Sequence, residues 1–204
     1  MTSPKYDPDK LKKALDKFGS LNAAIEALES KKTDLQVHNE QLKQKRTVNS
    51  IENSNILRGC KFYSEIIQDN ISSRTAYLHK FLDFAQDADI LFFDPDNGME
   101  VKSIPVGRRN SSKYLYFSEV QKAYSAGHSL LIYQHLPPRP RKPLIRDLVN
   151  KFKAVTGVNQ VHLYWTQFVV FFLIPRQAHQ KLFIQASDTI SEVWKKQFEI
   201  CVIT

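Results

Sequence analysis

The sequence predicts an α/β domain with a small, mostly parallel sheet that ends in an antiparallel hairpin, preceded by an α-helical arm. Three observations predict it. Short apolar runs of strand length recur through residues 89–174, and segments with helical spacing separate most of them. The last two runs are joined by only two residues, Thr166 and Gln167, which permits a hairpin and excludes a crossover. Before residue 50, apolar residues instead recur at alternating steps of three and four.

That first segment, residues 1–50, reads as a helical arm, and residues 51–204 as the α/β body. Leu11, Ala14, Phe18, Leu21, Ile25, Leu28, Leu35 and Leu42 fall on heptad positions, with Leu at d from Leu21 onward and Asn39 at an a position. Leu at d with a buried Asn at a favours a parallel two-stranded coiled coil, so residues 11–45 are a candidate homodimer interface. Gly19-Ser20 breaks the pattern, which leaves an intramolecular helical hairpin as the alternative. Residues 47–55, rich in Ser and Asn, read as a linker.

In the body, residues 73–85 have helical spacing. Residues 89–93, in which Asp89 leads a continuous apolar run, are expected to be a strand buried on both faces, and the run stops at the turn formers Asp94-Pro95-Asp96-Asn97-Gly98. A helix over 117–125 follows, with Gly127 placed to end it. A second run, 129–133, stops at Gln134-His135-Leu136-Pro137-Pro138. Strand, helix, strand implies a right-handed crossover between parallel strands, the unit of a Rossmann-like sheet. Asp94 and His135 then lie just past the carboxyl ends of neighbouring strands, where open α/β sheets place their ligand sites. A helix over 144–154, the hairpin of 161–165 and 168–174, a helix over 178–194 and a short tail complete the chain.

Composition narrows the function. No apolar run approaches the roughly 18 residues that span a bilayer, so no membrane role is expected. The first residues lack the apolar core of a secretory signal, and the two cysteines, Cys60 and Cys201, have neither metal-ligand spacing nor the numbers for a disulfide framework. A cytoplasmic location is the expectation. The net charge is +8, from 29 Lys and Arg against 21 Asp and Glu. The excess is local. Residues 105–153 hold Arg108, Arg109, Lys113, Lys122, Arg139, Arg141, Lys142, Arg146, Lys151 and Lys153 against Glu119 and Asp147 alone, an excess equal to that of the whole chain.

Two basic groups, Arg108-Arg109 and Arg139-Arg141-Lys142, lie in the loops leaving the two polar strand ends, with Lys113 between them. Arginine forks beside a polar site suit phosphate groups, so a nucleic acid or nucleotide is the expected partner. Asp94, Asp96, Asn97 and His135 are the candidate catalytic residues, and Lys113 and Glu119 flank the helix that joins their strands. Asp94, Asp96 and Glu100 also group hard oxygen ligands, so a divalent metal and phosphoester hydrolysis form the competing reading. A third is a non-catalytic coiled-coil dimer that binds polyanions.

The segments ILFFDPDNGMEVKS, SSKYLYFSEV and GHSLLIYQHLPPRPR resemble a family of uncharacterised bacterial proteins that share a DPDNG motif, a Ser-Lys-Tyr segment and a Tyr-Gln-His segment. The resemblance covers residues 62–194. More distantly, the order of elements is similar to the C-terminal half of class I S-adenosylmethionine-dependent methyltransferases, where an acidic motif follows the fourth strand and the sheet ends in an antiparallel hairpin. That resemblance implies S-adenosylmethionine as the cofactor and sets Asp94 to Asn97 at the acidic motif. Here Asp96 stands for the motif's second proline and Asn97 for its aromatic residue. The glycine-rich loop and the acid that hold the cofactor in the first half of that fold have no counterpart in the sequence.

Overall fold

The computed structural model describes residues 52, 57, 59–138 and 140–204. The helical arm, with its proposed dimer interface at 11–45, and Arg139 lie outside the described residues. The chain divides at Phe62 into two units, and the second, Tyr63–Thr204, holds every element described below.

In order these are α1 (Ile71–Phe84), β1 (Ile90–Phe93), α2 (Phe117–Ser125), β2 (Ser129–His135), α3 (Arg141–Thr156), β3 (Val161–Trp165), β4 (Val169–Ile174), α4 (Gln180–Val193) and β5 (Glu199–Ile203). Short 3-10 turns at Ser111–Lys113 and Gln177–His179 precede α2 and α4. The mixed α/β class is as the sequence predicts. Local signals set the ends. Asn70 caps α1 by accepting from the Ser73 N–H at 3.1 Å, and α3 ends on Gly157 at φ 71°. Pro143 falls in the first turn of α3, where a helix has no use for the missing N–H, so the helix starts earlier than its apolar spacing suggests.

The sheet order is β1-β2-β4-β3-β5. Only β1 and β2 run parallel, with Phe93 opposite Ile132; β2–β4, β4–β3 and β3–β5 are antiparallel. The expectation of a mostly parallel sheet is therefore corrected, and the hairpin does not lie at the edge. The short turn after Trp165 forces β4 back beside β3, as expected. The chain through α3, however, passes over one strand position, and β4 fills it. β4 is the sequence VVFFLI, with Val170, Phe172 and Ile174 fully buried, so a central place hides more apolar surface than an edge would. The tail forms a fifth strand on β3. A further correction concerns β1, which is an edge strand: Leu91 is buried while Phe92 is 54% exposed.

One face of the sheet carries Leu91, Leu130, Ile132, Phe172 and Leu163, and packs with Val120 and Ala123 of α2 and Ile145, Val149 and Phe152 of α3 into the core. Phe81 of α1 reaches Phe93 at 5.7 Å between ring centroids. On the other face Ser187 of α4 meets Tyr164 and His162 of β3. Burial lowers the His162 pKa, favouring the neutral imidazole.

A buried ion pair ties α1 to α2. Arg74, 3% exposed, donates to both carboxylate oxygens of Glu119 at 2.6 and 2.8 Å and to the carbonyls of Ser111 and Tyr114. Its guanidinium also lies over the Tyr116 ring, 4.7 Å from the centroid. Glu119 further accepts from the Tyr116 N–H, closing the first turn of α2. Glu119, read with Lys113 as flanking the helix that joins the two strands, is committed to Arg74.

Candidate functional site at the carboxyl edge of the sheet

The ends of β1, β2 and β3 and the starts of β4 and β5 share one edge, because His135 pairs with Val169 and Trp165 with Glu199. Asp94 and His135 reach the same edge on adjacent parallel strands, as the crossover predicts. Carried one residue past β1, the register sets Asp94 opposite Tyr133, two residues short of His135. Tyr133 and His135 share a sheet face and Gln134 takes the other, by strand alternation.

The turn after β1 is fixed from outside. The Gly98 N–H donates to Pro95 O at 3.1 Å, making a tight turn around Asp96-Asn97. The Asn97 N–H donates to Lys113 O and the Glu100 N–H to Leu115 O, each at 2.9 Å, and the Leu115 N–H returns a bond to Gly98 O. Gln134 completes the clamp. Its Oε1 accepts from the Met99 N–H at 2.8 Å, and its Nε2 donates to the His135 carbonyl. Gly98 sits at φ +80° directly against this side chain: a Cβ there would lie 2.4 Å from Gln134 Nε2. Only Gly98 adopts positive φ in the turn; Asn97 does not. Gln134 is the functional-site residue the sequence did not single out, and its place in a polar cluster at a strand end is the one hint it offered.

The turn's own acids take no part in this scaffold. Asp94 and Asp96 are exposed and form no hydrogen bond or ion pair among the described residues, so Asp94 does not cap the turn. Partial desolvation and, secondarily, the neighbouring Asp96 raise the Asp94 pKa above the ordinary carboxylate value. Its ionisation therefore opposes folding at any pH above the raised value. That cost vanishes below the unfolded pKa of 3.8, where the group is neutral in both states. Asp94→Asn is accordingly expected to raise Tm at pH 7 by on the order of 1–2 °C, small because the group is exposed. The gain should fade by pH 3. A scan in which Asp94→Asn lowers Tm at pH 7 would show instead that the carboxylate supports the turn.

Glu100 is partly engaged, accepting from the Phe117 N–H at 3.1 Å at the start of α2. Among the described residues no three His, Cys, Asp or Glu side chains gather as a metal-holding group, so Asp94, Asp96 and Glu100 do not form one. The glycine-rich approach that a bound S-adenosylmethionine needs does not fit either: the glycine after β1 is packed against Gln134, and the other described glycines, Gly59, Gly107, Gly127 and Gly157, stand singly in loops and turns.

The basic residues divide. Lys113 is brought beside the turn through its carbonyl bond to Asn97, and its side chain is exposed. Arg108 and Arg109 lie in the loop of residues 101–110, where the Arg108 guanidinium donates to Ser103 O at 2.8 Å. Asp69 anchors the end of that loop, accepting from the N–H groups of Asn110 and Ser112 at 2.8 and 2.7 Å, and these bonds lower its pKa to about 2. Gly107, at φ +90°, packs on Ile71 at the start of α1. The loop is thus held at both ends, but neither arginine pairs with Asp94 or Asp96. Arg141 and Lys142 open α3 and line a cleft of about 630 Å³ with Pro138, Trp165, Thr166, Gln167 and Glu199.

Tyr114 and Tyr116 belong to the scaffold: Leu115 between them bridges to Met99, and the buried Tyr116 donates to Ile104 O at 2.8 Å. Three histidines without visible sequence partners have structural ones. His128 Nδ1 lies 2.6 Å from Ala88 O, His179 stands between Ser129 and Asp89, and His162 meets Ser187. No protein-family model, curated protein or solved structure matches the chain.

Proposed function

We propose that the chain recognises a nucleic acid or nucleotide along the carboxyl edge of its sheet, with Asp94 and His135 as the groups that contact the reacting or recognised base. One observation carries this reading. The turn bearing Asp94 and Asp96 is held by backbone bonds and by Gln134, while its two carboxylates are exposed and have no partner among the described residues. A turn that needed only to reverse the chain gains nothing from two adjacent acids that repel each other.

The cationic loops supply the complement. Arg108, Arg109, Lys113 and Arg141 can bind phosphates, and the exposed Asp94 carboxylate can accept a hydrogen bond from a base amine. His135 is exposed at the same sheet edge, on the adjacent strand, and can donate or accept. A parallel strand pair with polar ends followed by an antiparallel hairpin also supports a shared ancestry with the C-terminal half of class I methyltransferases.

The test is fluorescence anisotropy with a labelled single-stranded 12-mer at several salt concentrations. Binding should weaken as salt rises, and an Arg108→Ala/Arg109→Ala variant should reduce the log–log salt slope by about 1 to 2. Asp94→Asn gives the sharper result. Removing a negative charge strengthens purely electrostatic binding to a polyanion, whereas losing a specific contact weakens it. Weaker binding is expected. Tighter binding for every sequence would leave only a cationic surface.

A further inference from the structure

The cleft between the start of α3 and the β3–β4 turn has a chemistry of its own. Arg141 and Lys142 line it together with Glu199, yet neither cation pairs with that carboxylate, and none of the three makes a hydrogen bond or ion pair among the described residues. Trp165, half-buried and packed against the core, also lines the cleft. Gln167 adds an exposed amide from the turn. Two unpaired cations, an unpaired carboxylate and an aromatic ring around about 630 Å³ describe a ligand with an anion, a pair of N–H donors and a flat ring.

We infer that this cleft takes one unpaired guanine nucleotide of a single strand. Phosphate suits Arg141 and Lys142, and a base plane suits Trp165. Guanine presents N1–H and N2–H side by side on its Watson–Crick edge, two parallel donors that match the two oxygens of Glu199. Thymine and uracil offer one N–H between two carbonyls, which a carboxylate repels. In a duplex that edge is already paired, so the cleft selects single strands. The register sets β3 two strand spacings from the His135 strand, about 10 Å, with Trp165 on the core face and His135 on the other, so a strand that crosses this edge passes both. The inference rests on the nucleic-acid reading of the strand-end site and names the substrate class for it.

The test compares two labelled 11-mers by anisotropy, one all thymine and one with a single central guanine. The guanine strand is expected to bind at least fivefold tighter. Glu199→Gln should bring it down to the affinity of the all-thymine strand, and Arg141→Ala/Lys142→Ala should weaken both at least tenfold. Guanosine 5′-monophosphate, followed by tryptophan fluorescence, should bind at least a hundredfold more weakly than the strand; equal affinity would assign the cleft to free nucleotides instead. Trp165→Phe keeps the core filled and should retain most of the preference. Equal affinity for the two 11-mers, or a preference that survives Glu199→Gln, overturns the guanine assignment. If that occurs while Asp94→Asn still weakens binding, the strand-end reading stands alone. A Glu199-dependent preference with no effect of Asp94→Asn would leave the cleft standing and remove the strand-end reading.

Discussion

Arg74→Ala is expected to lower the unfolding free energy by about 3–5 kcal/mol, the range for breaking a buried ion pair by removing one partner. For a domain of this size that is a fall in Tm of about 10 °C or more. The loss has two parts. Glu119 is left as an uncompensated buried carboxylate, and the carbonyls of Ser111 and Tyr114 lose their donor. Lys in place of Arg74 should recover little, because one ammonium cannot serve two carboxylate oxygens and two carbonyls in that fork geometry. The double variant Arg74→Met/Glu119→Leu separates the parts, since it removes both charges together. It should be less destabilised than Arg74→Ala, and a double variant as unstable as the two single losses added would sink the account. The damage should also reach the candidate site. Arg74 holds the Ser111–Lys113 turn, and Lys113 O holds the Asn97 N–H. Asp94 and Asp96 should therefore lose their fixed placement before the core unfolds.

Most of the elements, and the strand ends that carry Asp94 and His135, were legible in the sequence because they rest on local signals, whereas β5 was read only as a tail. Apolar runs ending in Asp94-Pro95-Asp96-Asn97-Gly98 and in Gln134-His135 mark strand ends, and the length of the chain between them demands a crossover. The pairing of β4 was not legible. A run such as VVFFLI is apolar on both faces, so it fits any central place in a sheet, and its neighbour depends on where α3 leaves the chain. The apolar run of β1 misled for a related reason: four apolar residues also suit an edge strand whose outward face is left partly bare. The Arg74–Glu119 pair joins residues 45 apart in sequence, and each looks like a surface charge until α1 and α2 are packed. The basic excess of residues 105–153 was legible as a cluster but not as an arrangement, since Arg108 and Arg109 ride on a loop tied back to Asp69 and Ile71.

Gly98→Ala should disable the site while leaving the fold in place. Its φ of +80° costs an L-residue about 1–2 kcal/mol, and the new Cβ would fall 2.4 Å from the Gln134 amide. Gln134 is the more movable of the two, so it should give way and release the Met99 N–H, a buried donor whose loss of partner costs about 1–3 kcal/mol. Gln134→Ala reaches the same unpaired Met99 N–H by another route. The two changes therefore share a cost and cannot add. In the double variant Gly98→Ala/Gln134→Ala the clash is gone and the Met99 N–H is lost only once, so the double should be at least about 1 kcal/mol more stable than the sum of the single effects predicts. Additive losses, measured by urea unfolding, would mean that Gln134 does not clamp the turn. Strand binding should follow the clamp rather than the global stability. Both single variants are expected to bind the 12-mer at least tenfold more weakly at a temperature where each remains folded, because the acids of the turn act only where the clamp holds them.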